Sequence, residues 1–139
     1  MYKMPAGKYY VGDLCYVMHG EWDEVCGLLF QGRNDHGVNE GTFVLKDGRK
    51  FATLNTAYGD GCYFDQRRRE YGVDAGGIGC IRVEDIDFVS PLEWGSNDME
   101  GGQVIEFQYD FSVWKENGVL HFGEVAIDTA GNNDYYTED

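Results

Sequence analysis

The 139-residue chain is 42% hydrophobic and 15% aromatic, which excludes a largely disordered polymer and suits one domain able to bury its own core. Its formal net charge of −14 argues against direct binding of nucleic acid or anionic membrane, and no apolar run approaches a membrane span or the centre of a secretory leader. Twenty glycines against two prolines point to many tight turns, as an antiparallel β protein needs, and a soluble cytoplasmic chain is the expectation.

Strands and turns alternate from the start. Residues 2–18 read as two short strands, KYYVG and LCYVM, meeting near Gly12-Asp13, where the Asp13 carboxylate can accept backbone N–H groups. Residues 21–30 predict a helix: Trp22, Val25, Cys26 and Leu29 form one stripe to pack on a sheet, with acids in the first turn. Residues 31–41 are a polar loop in which His36 stands beside Asp35 without a nucleophile motif nearby. Residues 42–46 and 49–55 predict a hairpin around Asp47-Gly48, a type I′ signal that would set Val44 opposite Phe51 and Thr42 opposite Thr53. After a sharp turn at residues 57–61, a second hairpin joins 62–66 to 70–74 across Arg67, Arg68 and Arg69, the one basic tip in an acidic chain.

The run AGGIG at residues 75–79 lacks the third glycine and the following helix of a dinucleotide fingerprint. Its glycines fit a bend or a close backbone approach before a strand at 80–83. Residues 91–103 form a loop excursion. From 104 to 114, Ile105, Phe107, Tyr109, Phe111 and Val113 alternate with Glu106, Gln108, Asp110 and Ser112, which predicts one strand with a buried and a wet face. Asn117-Gly118 predicts a type I′ turn with Val113 opposite Phe122. Continued unbroken, that register opposes Phe111 to Glu124, so a bulge at Gly123-Glu124 is expected, restoring Phe111 opposite Val125 and Tyr109 opposite Ile127. Residues 131–139 are expected to be a mobile acidic tail, outside a single β-rich domain over 1–130. The expected fold is mainly β (α+β), a small antiparallel barrel or sandwich of roughly seven to nine strands with one packed helix.

Charge is unevenly placed. Residues 1–80 carry nine Lys/Arg and eleven Asp/Glu, whereas residues 81–139 carry only Arg82 and Lys115 against fourteen acids. Such a field attracts basic surfaces, although solubility alone is the plainer explanation. The four cysteines, Cys15, Cys26, Cys62 and Cys80, include no CxxC pair and read as small buried hydrophobes in a reducing compartment. A zinc site would need His19, His36 or His121 to converge with them from scattered positions, so neither metal nor cofactor is expected.

No GxSxG, P-loop, HExxH or EF-hand pattern is present, and there are only three serines. Two functional classes remain. The first is a non-enzymatic binding protein, without catalytic residues, that covers a basic or nucleic-acid-binding surface of a host protein through Glu84, Asp85, Asp87, Glu106, Asp110 and Glu124. The second is a pocket protein that binds, or less readily hydrolyses, a nucleotide-like ligand at Tyr58, Asp60, Tyr63, Asp65 and Asp74. Two converging aspartates there would make an acid–base pair or hold a divalent ion, but turn chemistry alone also accounts for them.

The blocks PAGKYYVGDLCYV, DGRKFATLNTAYGDGCYFDQ, YGVDAGGIGCIRVED and GEVAIDTAG, which cover most of the chain, resemble a group of small uncharacterised proteins of tailed bacteriophages and bacteria. In that group proline often stands where Leu14 is here, and glycine is usual within the turn that here holds Arg67, Arg68 and Arg69. The resemblance implies a phage-type origin and a bacterial cytoplasm, and brings no activity or functional residue with it. A phage accessory protein that blocks a host enzyme or defence factor fits both the resemblance and the charge.

Overall fold

The computed structural model describes residues 1–18, 20–30, 40–74, 76–86, 98–99 and 102–130. In chain order these form β1 (Tyr2–Met4), β2 (Gly7–Gly12), a 3-10 turn (Leu14–Tyr16), α1 (Trp22–Phe30), β3 (Gly41–Val44), β4 (Lys50–Asn55), β5 (Gly61–Asp65) and β6 (Glu70–Val73). They continue with β7 (Gly77–Arg82), a 3-10 turn (Val83–Asp85), β8 (Asp98–Met99), β9 (Gly102–Phe107), β10 (Phe111–Glu116), β11 (Val119–Phe122) and β12 (Val125–Asp128). Two antiparallel sheets result, ordered β1-β10-β11-β12-β5-β6 and β3-β4-β7-β2-β9-β8, and they stack as a sandwich rather than closing into a barrel. The mainly β class with one packed helix is as expected. The strand count is higher, because several strands are only two to four residues long.

Burial explains why the second sheet lacks clean alternation. One of its faces sends Tyr9, Val11, Ala52, Leu54, Ile78 and Cys80 into the core shared with the first sheet. The other face sends Tyr10, Phe51 and Ile81 into a separate cluster with Leu14, Met18 and Val25. A sheet covered on both sides needs near-continuous apolar runs, as YYV and FATL supply. The second cover is α1, which buries Val25 completely and packs Trp22, Leu28 and Leu29 against the sheet. Arg49 locks this layer: it pairs with Glu21 at the start of the helix, with Asp47 in the hairpin turn at 2.7 Å, and donates to the Asp85 carbonyl at 2.9 Å.

Several expected registers shift by one residue. The segment LCYVM is not a strand; Asp13 Oδ1 accepts the Cys15 N–H at 3.0 Å and starts a 3-10 turn instead. In the first hairpin Phe43 faces Phe51 and Val44 faces Lys50. The loop holds three residues, closed by Leu45 N–H to Arg49 O at 2.8 Å, with Gly48 at φ +100°. Asp47 accepts the Arg49 N–H at 3.1 Å and so favours this wider turn over the two-residue type I′ form. One consequence is that the Phe43 and Phe51 rings stack at 5.5 Å.

The β5–β6 hairpin uses the same loop, with Arg68 at φ +64° where glycine sits in the first. A non-glycine residue pays a steric penalty there, so Arg68→Gly is expected to raise stability by about 0.5–1 kcal/mol. Urea unfolding would measure it; an unchanged or lowered midpoint would show that the arginine's contacts outweigh the strain.

The C-terminal third departs most. Asn117-Gly118 makes the expected turn, and Val113 faces Phe122. The expected strand at 104–114, however, breaks into β9 in one sheet and β10 in the other, and Tyr109 is 81% exposed instead of buried. No bulge forms at Gly123-Glu124. Gly123 takes φ +62° and the chain reverses, so Phe122 faces Val125 and β12 runs back along β11. Reversal removes the Phe111–Glu124 conflict, and Phe111 faces Met4 of β1. Asp87, His19, the Asp35-His36 pair, most of the 91–103 loop and the 131–139 tail lie outside the described residues.

Candidate functional site

The break between β9 and β10 is where the chain passes from one sheet to the other. Phe107 ends one buried row and Phe111 begins the next; their rings stack at 3.9 Å and 15°. Tyr9 meets both edge-on, at 5.7 and 5.1 Å, and donates its hydroxyl to the Pro5 carbonyl at 2.7 Å. Burial raises the Tyr9 pKa to about 12, so this hydroxyl stays a donor. These rings fix the corner from inside and leave Gln108, Tyr109 and Asp110 on its outer side. Asp110 Oδ1 accepts the Ala6 N–H at 2.9 Å, which ties the corner to the start of β2.

Across from the corner stands the Gly123-Glu124 reversal. A Cβ at Gly123 would press on the Phe107 ring at 3.0 Å, and the φ of +62° favours glycine there. Gln66 pins the same reversal from outside: its side-chain amide donates to the Glu124 carbonyl and accepts the Ala126 N–H at 2.9 Å. Corner and reversal enclose an open groove of about 650 Å³, lined by Phe107, Tyr109, Asp110, Phe111, Trp114 and Glu124 among others. The Trp114 indole lies parallel to the His121 imidazole, 4.3 Å apart and 2° from coplanar. Burial holds the His121 pKa below its ordinary 6.5, with Glu116 opposing. The folded chain therefore takes up this proton less readily than the unfolded chain, and stability should fall as pH drops through and below 6.5. His121→Phe keeps a ring on Trp114 and is expected to flatten that slope in denaturation series run from neutral to about pH 5.

Of the acids expected to form one surface, the structure brings Asp110 and Glu124 together in this groove. Glu84 lies in a neighbouring hollow lined also by Lys8 and Arg82, with Arg82 Nη1 3.5 Å away. Glu106 stands in register opposite Lys8. Asp85 belongs to the 3-10 turn whose carbonyl Arg49 holds; burial, then Glu84, raises its carboxyl pKa. The expected contiguous negative face is thus interrupted by the chain's own cations, and its acid–aromatic part is the groove.

The Tyr58–Asp74 turns are organised differently. Asp65 is fully buried: Oδ1 accepts the N–H groups of Arg67 and Arg69 at 2.8 and 2.9 Å, while Oδ2 accepts Arg69 Nε at 2.7 Å and the Tyr71 hydroxyl at 2.8 Å. It holds the hairpin and is closed to a ligand. Tyr63 donates to the Gly59 carbonyl at 2.8 Å, and Tyr58 is 75% exposed. Asp74 accepts the Tyr16 hydroxyl, and its N–H donates to Asp13 Oδ2 at 2.7 Å. Burial, together with Asp13, Asp74 and Asp60, raises the Cys15 thiol to about 12, which removes it as a nucleophile near neutrality. A void beneath α1, lined by Asp13, Trp22, Thr53, Asn55 and Gly77, measures about 20 Å³, the size of one water, and none of the five expected ligand residues lines it. Among the described residues no three His, Cys, Asp or Glu converge as a metal set, and no helix is long and apolar enough to cross a membrane.

No family model, curated protein or solved structure matches the chain. The groove residue that the sequence does not flag is Trp114, backed by His121, and Tyr109 lies on the outer side of the corner and not on the expected buried face. The available signal was FQYDF: three consecutive residues with polar groups between two phenylalanines give a chain room to turn a corner.

Proposed function

We propose that this chain is a non-enzymatic binding protein that covers a basic patch on a partner protein, using the groove at the β9–β10 corner as its docking site. The observation that carries this reading is an open concavity in which Tyr109, 81% exposed, and Trp114 stand beside Asp110 and Glu124, on a chain of net charge −14. Exposed aromatics in a concave site supply most of the energy at protein interfaces, and the net negative field speeds encounter with a basic partner. The resemblance to phage proteins supports a partner in a bacterial host, such as a nucleic-acid-binding protein whose basic surface would be blocked.

The test is capture from bacterial lysate at low and high salt, identification of the partner, and affinity measurement with the purified pair. Asp110→Asn combined with Glu124→Gln should weaken binding about 10–100-fold, and added salt should slow association. Asn at 110 retains an acceptor for Ala6, so folding is preserved. A captured partner that binds the double variant as tightly as the natural chain would contradict the reading.

A further inference from the structure

We infer that the occupant of this groove is an arginine side chain carried on a basic segment of the partner, with its guanidinium lying on Tyr109 and Trp114 and forked to Asp110 and Glu124. The inference rests on the reading of the groove as a docking site for a basic partner. It deepens that reading by choosing between the two cations a basic surface offers.

One feature separates arginine from lysine here, and two more favour a cation bound in this groove. The groove presents aromatic surface together with carboxylates, and a guanidinium uses both: its weakly hydrated face stacks on a ring while its edge donates paired hydrogen bonds. A lysine ammonium is a compact, strongly hydrated charge and gains less from the rings. One aromatic wall is also set in advance. His121 covers one face of Trp114 and so fixes the plane of the indole, while Tyr109, exposed and without a stacking partner among the described residues, has its ring face open to a ligand. The carboxylates, finally, are preset at the backbone. Asp110 is oriented by the Ala6 N–H on Oδ1, which leaves Oδ2 for a ligand. Glu124 sits on a reversal seated against Phe107 and clamped by Gln66, and its carboxylate has no protein partner among the described residues. A site whose walls are already ordered loses less freedom when it binds.

The test uses two synthetic peptides of equal length and charge, oligo-arginine and oligo-lysine, titrated calorimetrically into the full chain at low salt. Parallel nitrogen–proton spectra follow the Trp114 indole. Oligo-arginine is expected to bind roughly fivefold or more tighter than oligo-lysine and to shift the Trp114 indole signal. Tyr109→Ala should abolish that preference, Tyr109→Phe should keep it, and Glu106→Gln, outside the groove, should leave it unchanged. Tyr109 is exposed, so neither variant at 109 threatens the fold.

Equal affinity for both peptides, weakened by neutralising Asp110 and Glu124 but indifferent to Tyr109→Ala, would overturn the arginine assignment and leave the basic-partner reading standing. If neither peptide bound, both the arginine assignment and the basic-partner reading would be overturned. The chain's own Arg67-Arg68 tip follows Gln66, which contacts Glu124. A concentration-dependent dimer in sedimentation, lost in Arg67→Ser, would therefore assign the groove to a second copy and also overturn the inference.

Discussion

Asp65→Ala is expected to cost about 3–5 kcal/mol of folding stability, the largest loss from any single carboxylate in the described structure. The carboxylate accepts four hydrogen bonds while fully buried, and removing it strands the groups that gave them. Two of those are backbone N–H groups of the β5–β6 loop, one is the Tyr71 hydroxyl in the core between the sheets, and one is a guanidinium only 29% exposed. An unpaired buried donor costs its whole desolvation penalty, whereas an exposed ion pair costs little. Asp65→Asn should be milder, because its amide oxygen still accepts both backbone bonds. Urea denaturation of the two variants gives the comparison. Equal, small losses for both would mean that water reaches this turn and the carboxylate is not holding it.

Gly79→Ala is expected to cost at least about 3 kcal/mol or to prevent folding. Gly79, Gly12 and Gly102 lie in register across β7, β2 and β9. A Cβ at Gly79 would stand 2.2 Å from the Ala52 carbonyl oxygen and 2.9 Å from Leu14 Cδ1. The carbonyl belongs to β4, the ladder partner of β7, so it cannot withdraw without opening the sheet. Leu14 belongs to the layer that caps this face under α1. Gly27→Ala is the control: nothing lies within 4 Å of a Cβ there, and alanine suits a helix better, so that variant should be neutral or slightly stabilising. Thermal unfolding separates the two. If both alanine variants melted with the parent, the close approach at Gly79 would not be a constraint on the fold.

The fold was legible where local chemistry decides it. The helical stripe at 21–30, the Asn117-Gly118 turn and the Val113–Phe122 register depend on residues a few positions apart. It was not legible where two turn types compete for the same residues. Asp47-Gly48 suits both a two-residue and a three-residue loop, and the choice falls to the Asp47 side chain on the Arg49 backbone and to the stacking of Phe43 on Phe51. The corner at 108–110 failed for another reason. Alternation at 105–113 satisfies one long strand or two short ones equally, and only the packing of Phe107 on Phe111 across the sheet change distinguishes them. The groove inherits that ambiguity, since its two walls come from the corner and from a reversal that sequence alone renders as a bulge. Charge counts located the acidic half but not its pairing: Lys8 meets Glu106 only because β2 lies beside β9, whereas Arg82 reaches Glu84 two residues on, across the turn that follows β7.

The most direct measurement of the central claim is the calorimetric affinity of the full chain for oligo-arginine at low salt, compared with that of the Asp110→Asn, Glu124→Gln double variant and of a Glu84→Gln, Glu106→Gln double variant with the same change in charge. Docking at the corner groove predicts a loss of about tenfold or more in the first and a change within about threefold in the second. Equal losses in both would mean that net charge alone draws the peptide, and the groove would lose its role.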